Sequence, residues 1–175
     1  MRPYKGLDLL AAALGRLGAR HRAGLRVIVA GEPMMDLASL RDVVADAGLG
    51  GIVEIVPRRL GEAEMEALFE RADGFVFPYR EIEASGVFYL VQGLGRWVIA
   101  SRLGAFAEAI EDGESGRLVA PDDVEALAAA LAECVDLRPT PSTPARVTDW
   151  ATIARATLAT YAEARADWIA EGGAA

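Results

Sequence analysis

The sequence contains very little cysteine and histidine, with one residue of each among 175, Cys134 and His21. A single cysteine excludes an internal disulfide and a cysteine-rich zinc site, and it favours a reducing compartment. No residues with metal-ligand spacing accompany Cys134, so we predict no metal site. We expect a cytoplasmic protein.

Long apolar runs and an excess of positive charge are also absent. No run approaches the ~18 residues of a membrane-spanning helix, and the N-terminus has no charged and then apolar leader. The formal net charge of -8 argues against nucleic acid as a partner. We predict no transmembrane segment and no nucleic-acid binding, while a peripheral position at the inner membrane face stays open.

What the sequence does have is a regular alternation of short apolar runs and helical apolar stripes. The runs are typical of buried strands, and the stripes of amphipathic helices. The alternation predicts an α/β protein with a Rossmann-like, doubly wound parallel sheet and helices on both faces. The predicted strands cover residues 25–30, 52–56, 74–77, 97–100 and 117–119, and the predicted helices cover 7–17, 37–47, 65–72, 85–94, 104–111 and 121–135.

The composition divides the chain into three parts. Residues 1–137 contain the alternating pattern and form the predicted sheet domain. Residues 138–148 contain three prolines and no periodicity, which predicts an exposed linker. Residues 149–175 resume a helical stripe, and their Gly-Gly-Ala-Ala end is expected to fray.

Ligands of doubly wound sheets bind beyond the carboxyl ends of the strands, so the residues after each strand are the candidates for a site. Ser85 stands where an N-cap is expected, followed by the amides of Gly86, Val87 and Phe88. A helix start with unpaired amides favours an anion, which predicts a phosphate site. The other interpretation is that Ser85 only caps a buried helix.

Five motifs follow one another along the chain: YKGLDLL at 4–10, RADGFVFPYR at 71–80, SGV at 85–87, GRWVIAS at 95–101 and EAIEDGESGRLV at 108–119. In this order they resemble the C-terminal, donor-binding domain of group 1 GT-B glycosyltransferases of the family 4-like type. The resemblance implies the C-terminal half of a GT-B fold. It also implies a UDP-sugar or GDP-sugar donor, sugar transfer with retention in glycan or polysaccharide synthesis, and no cofactor.

The residues that the resemblance implies for donor binding lie near the ends of the strands. Lys5 matches the lysine that contacts the donor diphosphate, and Arg80 belongs to the loop that reaches the sugar or phosphate. From the residues alone, ordinary surface roles for both stay open. The expected donor-binding residues are Lys5, Gly31, Glu32, Arg80, Ser85, Gly86, Val87 and Gly104.

Two positions depart from the resembled family. Many members carry one glutamate that addresses the donor sugar and another that addresses the ribose hydroxyls, and these places hold Ile82 and Leu90 here. Neither side chain can accept a hydrogen bond. Glu81 and Glu83 flank the first place, and Glu83 is the candidate catalytic residue.

The resemblance implies two parts that these residues do not include. One is an N-terminal acceptor-binding domain, the usual home of the catalytic histidine. The other is a first strand, which lies near the middle of a doubly wound sheet. We therefore expect an N-terminally incomplete domain with exposed strand edges. His21 follows the first helix, so we expect a solvent-facing loop residue at the opposite edge rather than the catalytic base, and we expect Cys134 to serve in packing.

Three functions stay open at this point. The first is the donor half of a sugar transferase, working with an acceptor domain. The second is a degenerate nucleotide-binding or interaction module that keeps the fold without transfer. The third is another GT-B-like enzyme, such as a nucleotide-sugar epimerase.

Overall fold

The computed structural model describes residues 1–82, 85–141 and 150–170. The chain divides into two compact units, Met1–Pro144 and Ala145–Ala175, and each is described by itself. Most of the predicted linker, the predicted frayed end and Glu83 lie outside the described residues. The division into domains therefore stays a prediction.

The first unit alternates helices and strands as the apolar pattern predicts. After a 3-10 turn at Pro3–Lys5, its helices are α1 (Leu7–Arg16), α2 (Ala19–Ala23), α3 (Ala38–Asp46), α4 (Glu62–Arg71), α5 (Gly86–Gln92), α6 (Gly104–Ala109) and α7 (Val124–Leu137). Its strands are β1 (Val27–Ala30), β2 (Val53–Val56), β3 (Gly74–Phe77), β4 (Trp97–Ser101) and β5 (Gly116–Val119).

The strands form two parallel sheets, one with the order β1-β2 and one with the order β3-β4-β5. In the first sheet Val27 lies beside Val53, and in the second Phe75 lies beside Val98. The predicted α/β class with parallel strands is confirmed, but the predicted single sheet is interrupted between β1 and β3. That is where a doubly wound order puts the first strand that the family resemblance implies and these residues do not include.

Helices cover both faces of the strands, as predicted. On one face α1, α3 and α7 bury a core that takes side chains from both sheets, among them Val29 of β1, Ile99 of β4 and Val119 of β5. On the other face a second core contains Phe77, Phe88 and seven further buried residues of the three-stranded sheet, its helices and its loops. One continuous layer of helices therefore spans the two sheets on the first face.

The start of α7 corrects a sequence prediction. The spacing of Asp122 and Glu125 predicts Asp122 as the cap, but Asp123 is the N-cap and its carboxylate accepts the Ala126 N–H at 2.9 Å. Asp122 instead has a positive φ of 61°, which is uncommon for a residue with a Cβ. This backbone conformation leaves its side chain available for another partner.

Trp97 opens β4 and is 8% exposed within the first core. Its indole Nε1 is buried without a hydrogen-bond partner among the described residues. A buried N–H without a partner costs roughly 1–3 kcal/mol, which the burial of the large ring offsets.

The second unit contains α8 (Trp150–Ala170), a helix of 21 residues. Across the described parts of the chain, no helix has both the length and the apolar character that crossing a bilayer requires.

Candidate functional site

The first five residues lie across the carboxyl ends of β1 and β3. The Met1 ammonium donates to the Glu32 carbonyl, and the Met34 N–H donates to the Met1 carbonyl at 2.8 Å. At the other side the Arg80 N–H donates to the Tyr4 carbonyl at 2.8 Å. The segment thus links the two sheets at the edge where ligands of such folds bind.

Gly6 makes this crossing possible. Its φ is 62°, and a Cβ built on it would lie 1.9 Å from the Pro78 carbonyl oxygen. Only glycine fits, because the backbone of the loop after β3 passes directly beside it. Lys5 is thereby placed next to that loop.

Lys5 is the only lysine in the chain, and its ammonium donates to the Tyr79 hydroxyl at 2.9 Å. The same nitrogen lies 5.1 Å from the centre of the Tyr79 ring. The hydroxyl contact fixes the position of the nitrogen, since a hydrogen bond is more directional than an attraction to the ring. The predicted diphosphate contact therefore sits at the carboxyl edge with a defined partner.

Arg80 is paired with two carboxylates. Its Nη1 and Nη2 donate to the two Asp8 oxygens at 2.8 and 2.7 Å, and its Nε donates to Asp122 at 2.8 Å. The hydrogen bond from Arg80 holds the pKa of the Asp8 carboxyl below its usual range, and the pKa of Arg80 is raised, most of all by the hydrogen bond to Asp8. We call these three residues the Arg80 clamp. The structure shows this surface pairing, and a contact of Arg80 with the sugar or phosphate stays a prediction.

Ser85 caps α5 as predicted. It is 8% exposed, and its Oγ accepts the Phe88 N–H at 3.4 Å. The Phe88 amide is therefore taken, which corrects the expectation of three available amides. Gly86 and Val87 are exposed, and neither of their N–H groups bonds to another described residue. The candidate phosphate contact at this helix comes down to these two amides.

An aromatic cluster beneath the edge holds the loops in place. The Tyr79 ring is 4% exposed and lies 5.4 Å from Phe106 and 5.7 Å from Phe77 between ring centres. Phe106 of α6 also lies 4.9 Å from Phe88 of α5. The loop after β3, the start of α5 and the start of α6 therefore share one rigid support.

The remaining expected donor-binding residues lie at the same edge, after β1 and β4. Gly31 has a φ of 140°, and its N–H donates to Val56 at 3.1 Å. Glu32 is exposed, with its carbonyl occupied by Met1. Gly104 opens α6 with a φ of 41°. Their place fits the predicted edge, and their role in donor binding stays a prediction.

The two positions that lack the family glutamates differ in burial. Ile82 is half-buried and packs against the second core, whereas Leu90 is 54% exposed on α5. Val87 is exposed three residues before Leu90 on the same helix, and Leu94 is exposed in the turn that follows α5. The surface beside the candidate phosphate contact is therefore apolar where the resembled family has carboxylates.

His21 and Cys134 lie away from this edge. His21 is on α2 rather than in the predicted loop, because the chain makes another helical turn before β1, and its Nε2 is 3.3 Å from Asp136. Cys134 is half-buried against the first core, and burial raises the pKa of its thiol. The packing role of Cys134 is confirmed. In the described ranges no three potential metal ligands come together.

A depression of about 260 Å³ lies at the opposite edge, lined by Arg26, Glu54 and residues 50–53. Arg26 and Glu54 form a salt bridge across it, with 2.7 Å between the Arg26 Nη2 and a Glu54 carboxylate oxygen. None of the candidate residues lines it. The carboxyl edge is the better candidate site, because its polar groups and glycine turns come from several loops, whereas the depression is open and its two charged side chains are paired with each other.

Sequence reasoning missed the two acids of the Arg80 clamp. Asp8 is 72 residues from Arg80, and nothing in the local pattern indicates the pair. Asp122 carries a weak signal, since two acids after a proline leave the choice of helix cap open. Their pairing could be found only once the loops were brought together.

A family profile described as "Glycosyl transferases group 1" matches residues 1–136. The GDP-mannose-dependent alpha-(1-6)-phosphatidylinositol monomannoside mannosyltransferase of Mycolicibacterium smegmatis is 31% identical over 138 residues, which cover 75% of this chain and 35% of that enzyme. The MMP alpha-(1->4)-mannosyltransferase of Mycolicibacterium hassiacum is 31% identical, with 93% of this chain and 41% of that enzyme covered. The chain thus spans well under half the length of these relatives.

Solved structures share the fold. Sucrose-phosphate synthase from Thermosynechococcus elongatus superposes with a TM-score of 0.73 at 22% identity, covering 95% of this chain and 44% of that one. The Anabaena protein HepE, in a complex with UDP, gives 0.69 at 21% identity, covering 81% and 38%. At this identity the likeness concerns the fold. It agrees with the resemblance that the sequence motifs carry.

Proposed function

Since the chain belongs to the group 1 glycosyl transferases, we propose that it is the donor-binding half of an enzyme that transfers a sugar with retention. The donor is a UDP-sugar or a GDP-sugar, used without a further cofactor, and the product belongs to a glycan or polysaccharide. Support comes from a relative described as GDP-mannose-dependent and from a structural neighbour in a complex with UDP. The reaction takes place in the cytoplasm, where Cys134 stays reduced.

The observation that carries the proposal is the position of Lys5. Its ammonium lies at the carboxyl edge, held by Tyr79 beside the loop after β3. As the sugar leaves the nucleotide, negative charge develops on the departing diphosphate, and a positioned cation lowers the energy of that transition state. The exposed amides of Gly86 and Val87 supply hydrogen-bond donors to the same group.

The open face of this edge fits half of a binding cleft. Glu32, Gly86 and Gly104 are exposed at this edge, whereas an enclosed site buries most of a ligand. We propose that an N-terminal acceptor-binding domain forms the other wall and that its connection supplies the strand between β1 and β3. The share of the relatives that the chain covers, 35 to 41%, supports this division.

One observation favours the alternative, a module that binds nucleotide or a partner without transfer. Ile82 and Leu90 leave the positions of two family carboxylates without an acceptor for sugar hydroxyls. A site that reads hydroxyls loses discrimination when such a partner is missing. Under this alternative the diphosphate still binds at Lys5, but no sugar is transferred.

Thermal and urea unfolding with UDP and GDP tests donor binding. At a hundredfold excess over its dissociation constant, a nucleotide that binds the folded chain raises the free energy of unfolding by about 2.7 kcal/mol. We expect this rise with one of the two nucleotides. No rise with either would remove the proposed function.

Two variants place the site. Lys5→Ala should weaken nucleotide binding about ten- to a hundredfold, because a charge-assisted contact is lost. Arg20→Ala removes an exposed cation from the opposite edge and should leave binding unchanged. Equal losses of nucleotide affinity in the two variants would show that the site has been assigned to the wrong edge of the sheets. Radiolabelled sugar transfer, measured once the acceptor domain is present, then separates the enzyme from the module.

A further inference from the structure

The segment Pro3–Gly6 and the segment 78–80 are interlocked residue by residue. Gly6 packs on the Pro78 carbonyl, Lys5 donates to Tyr79, and Tyr4 accepts from Arg80. The contacts run in opposite directions along the two segments. Their joint effect is that the position of the Lys5 ammonium depends on the loop after β3.

Tyr79 is a fixed support within this contact. Its ring is 4% exposed and meets Tyr4, Phe77 and Phe106 at centre distances of 5.4 to 5.7 Å. The hydroxyl at the end of such a ring cannot move far. A lysine side chain is otherwise highly mobile, so a hydrogen bond to a fixed oxygen orders it before any ligand arrives.

The Arg80 clamp fixes the same loop from outside. Three of the guanidinium N–H groups are taken by Asp8 at the start of α1 and by Asp122 after β5. The side chain of Arg80 is 34% exposed, and those of Asp8 and Asp122 are 60% and 61% exposed. The clamp therefore ties the loop after β3 to the start of α1 and to the loop after β5. It also neutralises carboxylates that would otherwise repel a diphosphate.

We propose that Tyr79 and the Arg80 clamp are positioning groups for Lys5, and that Arg80 acts on the nucleotide through this arrangement rather than by touching it. The inference rests on the proposed function, in which Lys5 contacts the diphosphate. It assigns to Tyr79 a role beyond packing, since the hydroxyl is the part that orients the ammonium.

The first test replaces Tyr79 by Phe, which removes the hydroxyl and keeps the ring. Calorimetric titration with UDP or GDP, whichever binds the unaltered chain, should show affinity about tenfold weaker. In the Lys5→Ala background the same change should have no effect, because the group that the hydroxyl orients is gone. Tyr161→Phe, an exposed tyrosine on α8, is the control and should bind as the unaltered chain does.

Equal losses from Tyr79→Phe with and without Lys5 would overturn the positioning role, and so would no loss in either background. An unaltered chain that binds neither nucleotide contradicts the proposed function instead, and a second readout then tests the inference alone. Lys5 is the only lysine, so an amine acylating reagent followed by peptide mass analysis reports its reactivity without nucleotide. Tyr79→Phe should speed this labelling, and an unchanged rate would contradict the inference.

The second test distinguishes a clamp from a direct contact by the direction of the change. Asp8→Asn weakens the hold on Arg80. At about 0.5 M salt, where exposed charges act over only a few ångström, a clamp predicts weaker nucleotide binding. An arginine freed to reach the phosphate predicts tighter binding, and that outcome would overturn the clamp. Arg80→Lys should fail to restore an Arg80→Ala loss, because an ammonium lacks the planar fork that holds both acids.

Discussion

The two sheets of the first unit have similar apolar strands and very different burial. Every residue of β4 is buried, whereas β1 has three half-buried residues and an exposed Ala30. The sequences VIVA and WVIAS are about equally apolar, so composition does not explain the difference. β4 is paired on both edges and β1 only with β2. Burial in this fold follows from having neighbours on both sides.

The largest expected effect comes from a matched pair of isoleucines. Ile99 of β4 is 2% exposed, and its replacement by Ala should lower the free energy of unfolding by about 2–5 kcal/mol. Ile55 of β2 is half-buried, so the same change there should cost about half as much or less. Urea unfolding of the two variants measures both. Equal costs would break the comparison.

Amide hydrogen exchange tests the difference between the two sheets without a substitution. The hydrogen-bonded amides of β4 should exchange only through global unfolding, because β4 is paired on both edges and all of its residues are buried. The amides of β1 and β2 should exchange about tenfold faster or more, through local opening of the smaller sheet. Uniform protection of all five strands would show that the two sheets open as one unit.

A smaller effect is expected at two aspartates whose carboxylates accept an N–H at the start of a helix, the N-cap Asp123 and Asp36, which precedes the N-cap Leu37. Asp123 caps α7, which packs on the three-stranded sheet, and Asp123→Ala should lower stability by about 1 kcal/mol. Asp36 accepts the Ala38 N–H at 2.9 Å at the start of α3, beside the smaller sheet. Asp36→Ala should cost less if α3 is already the less stable element. Thermal unfolding ranks the two, and the reverse order would count against the comparison.

The smallest expected effect is the pH dependence of the stability that Asp8 contributes. Because the pKa of Asp8 is lower in the folded chain than its ordinary value of 3.8, its ionised form stabilises the fold above that pH, and this stabilisation is lost as the pH falls through the folded pKa. The stability difference between the unaltered chain and Asp8→Asn should therefore shrink below about pH 4, from no more than about 1 kcal/mol for so exposed a pair. Asp46→Asn on α3, beside the two-stranded sheet, serves as the control. A difference that is constant with pH would contradict the prediction.

The sequence was sufficient for the parts of the fold that depend on local pattern. All five strands were predicted to within two residues, since short apolar runs between helical stripes leave little choice. The brief helix α2 was missed, because the five residues Ala19–Ala23 are too few to show a period. The interruption between the sheets was indicated only through the family resemblance.

The candidate site was predictable in position but not in its pairing. Counting residues after each strand put Arg80 and Ser85 at one edge, and the Ser85 cap followed from its residue type. The place of Lys5 at that edge was implied only by the family resemblance. The partners of Lys5 and Arg80 are far away in sequence, at Tyr79, Asp8 and Asp122. Such contacts depend on how the loops pack, and no local period reports them.

Trp97 is a fluorescent probe within the three-stranded sheet. Its indole is nearly enclosed at the first position of β4, whereas Trp168 in the second unit is 50% exposed. With the other tryptophans replaced by phenylalanine, fluorescence from this one ring would follow the opening of β4 alone. A stopped-flow instrument could then time the loss of the three-stranded sheet against the loss of total helix by circular dichroism. Comparing the two rates would show whether the three-stranded sheet is lost before, together with or after most of the helix.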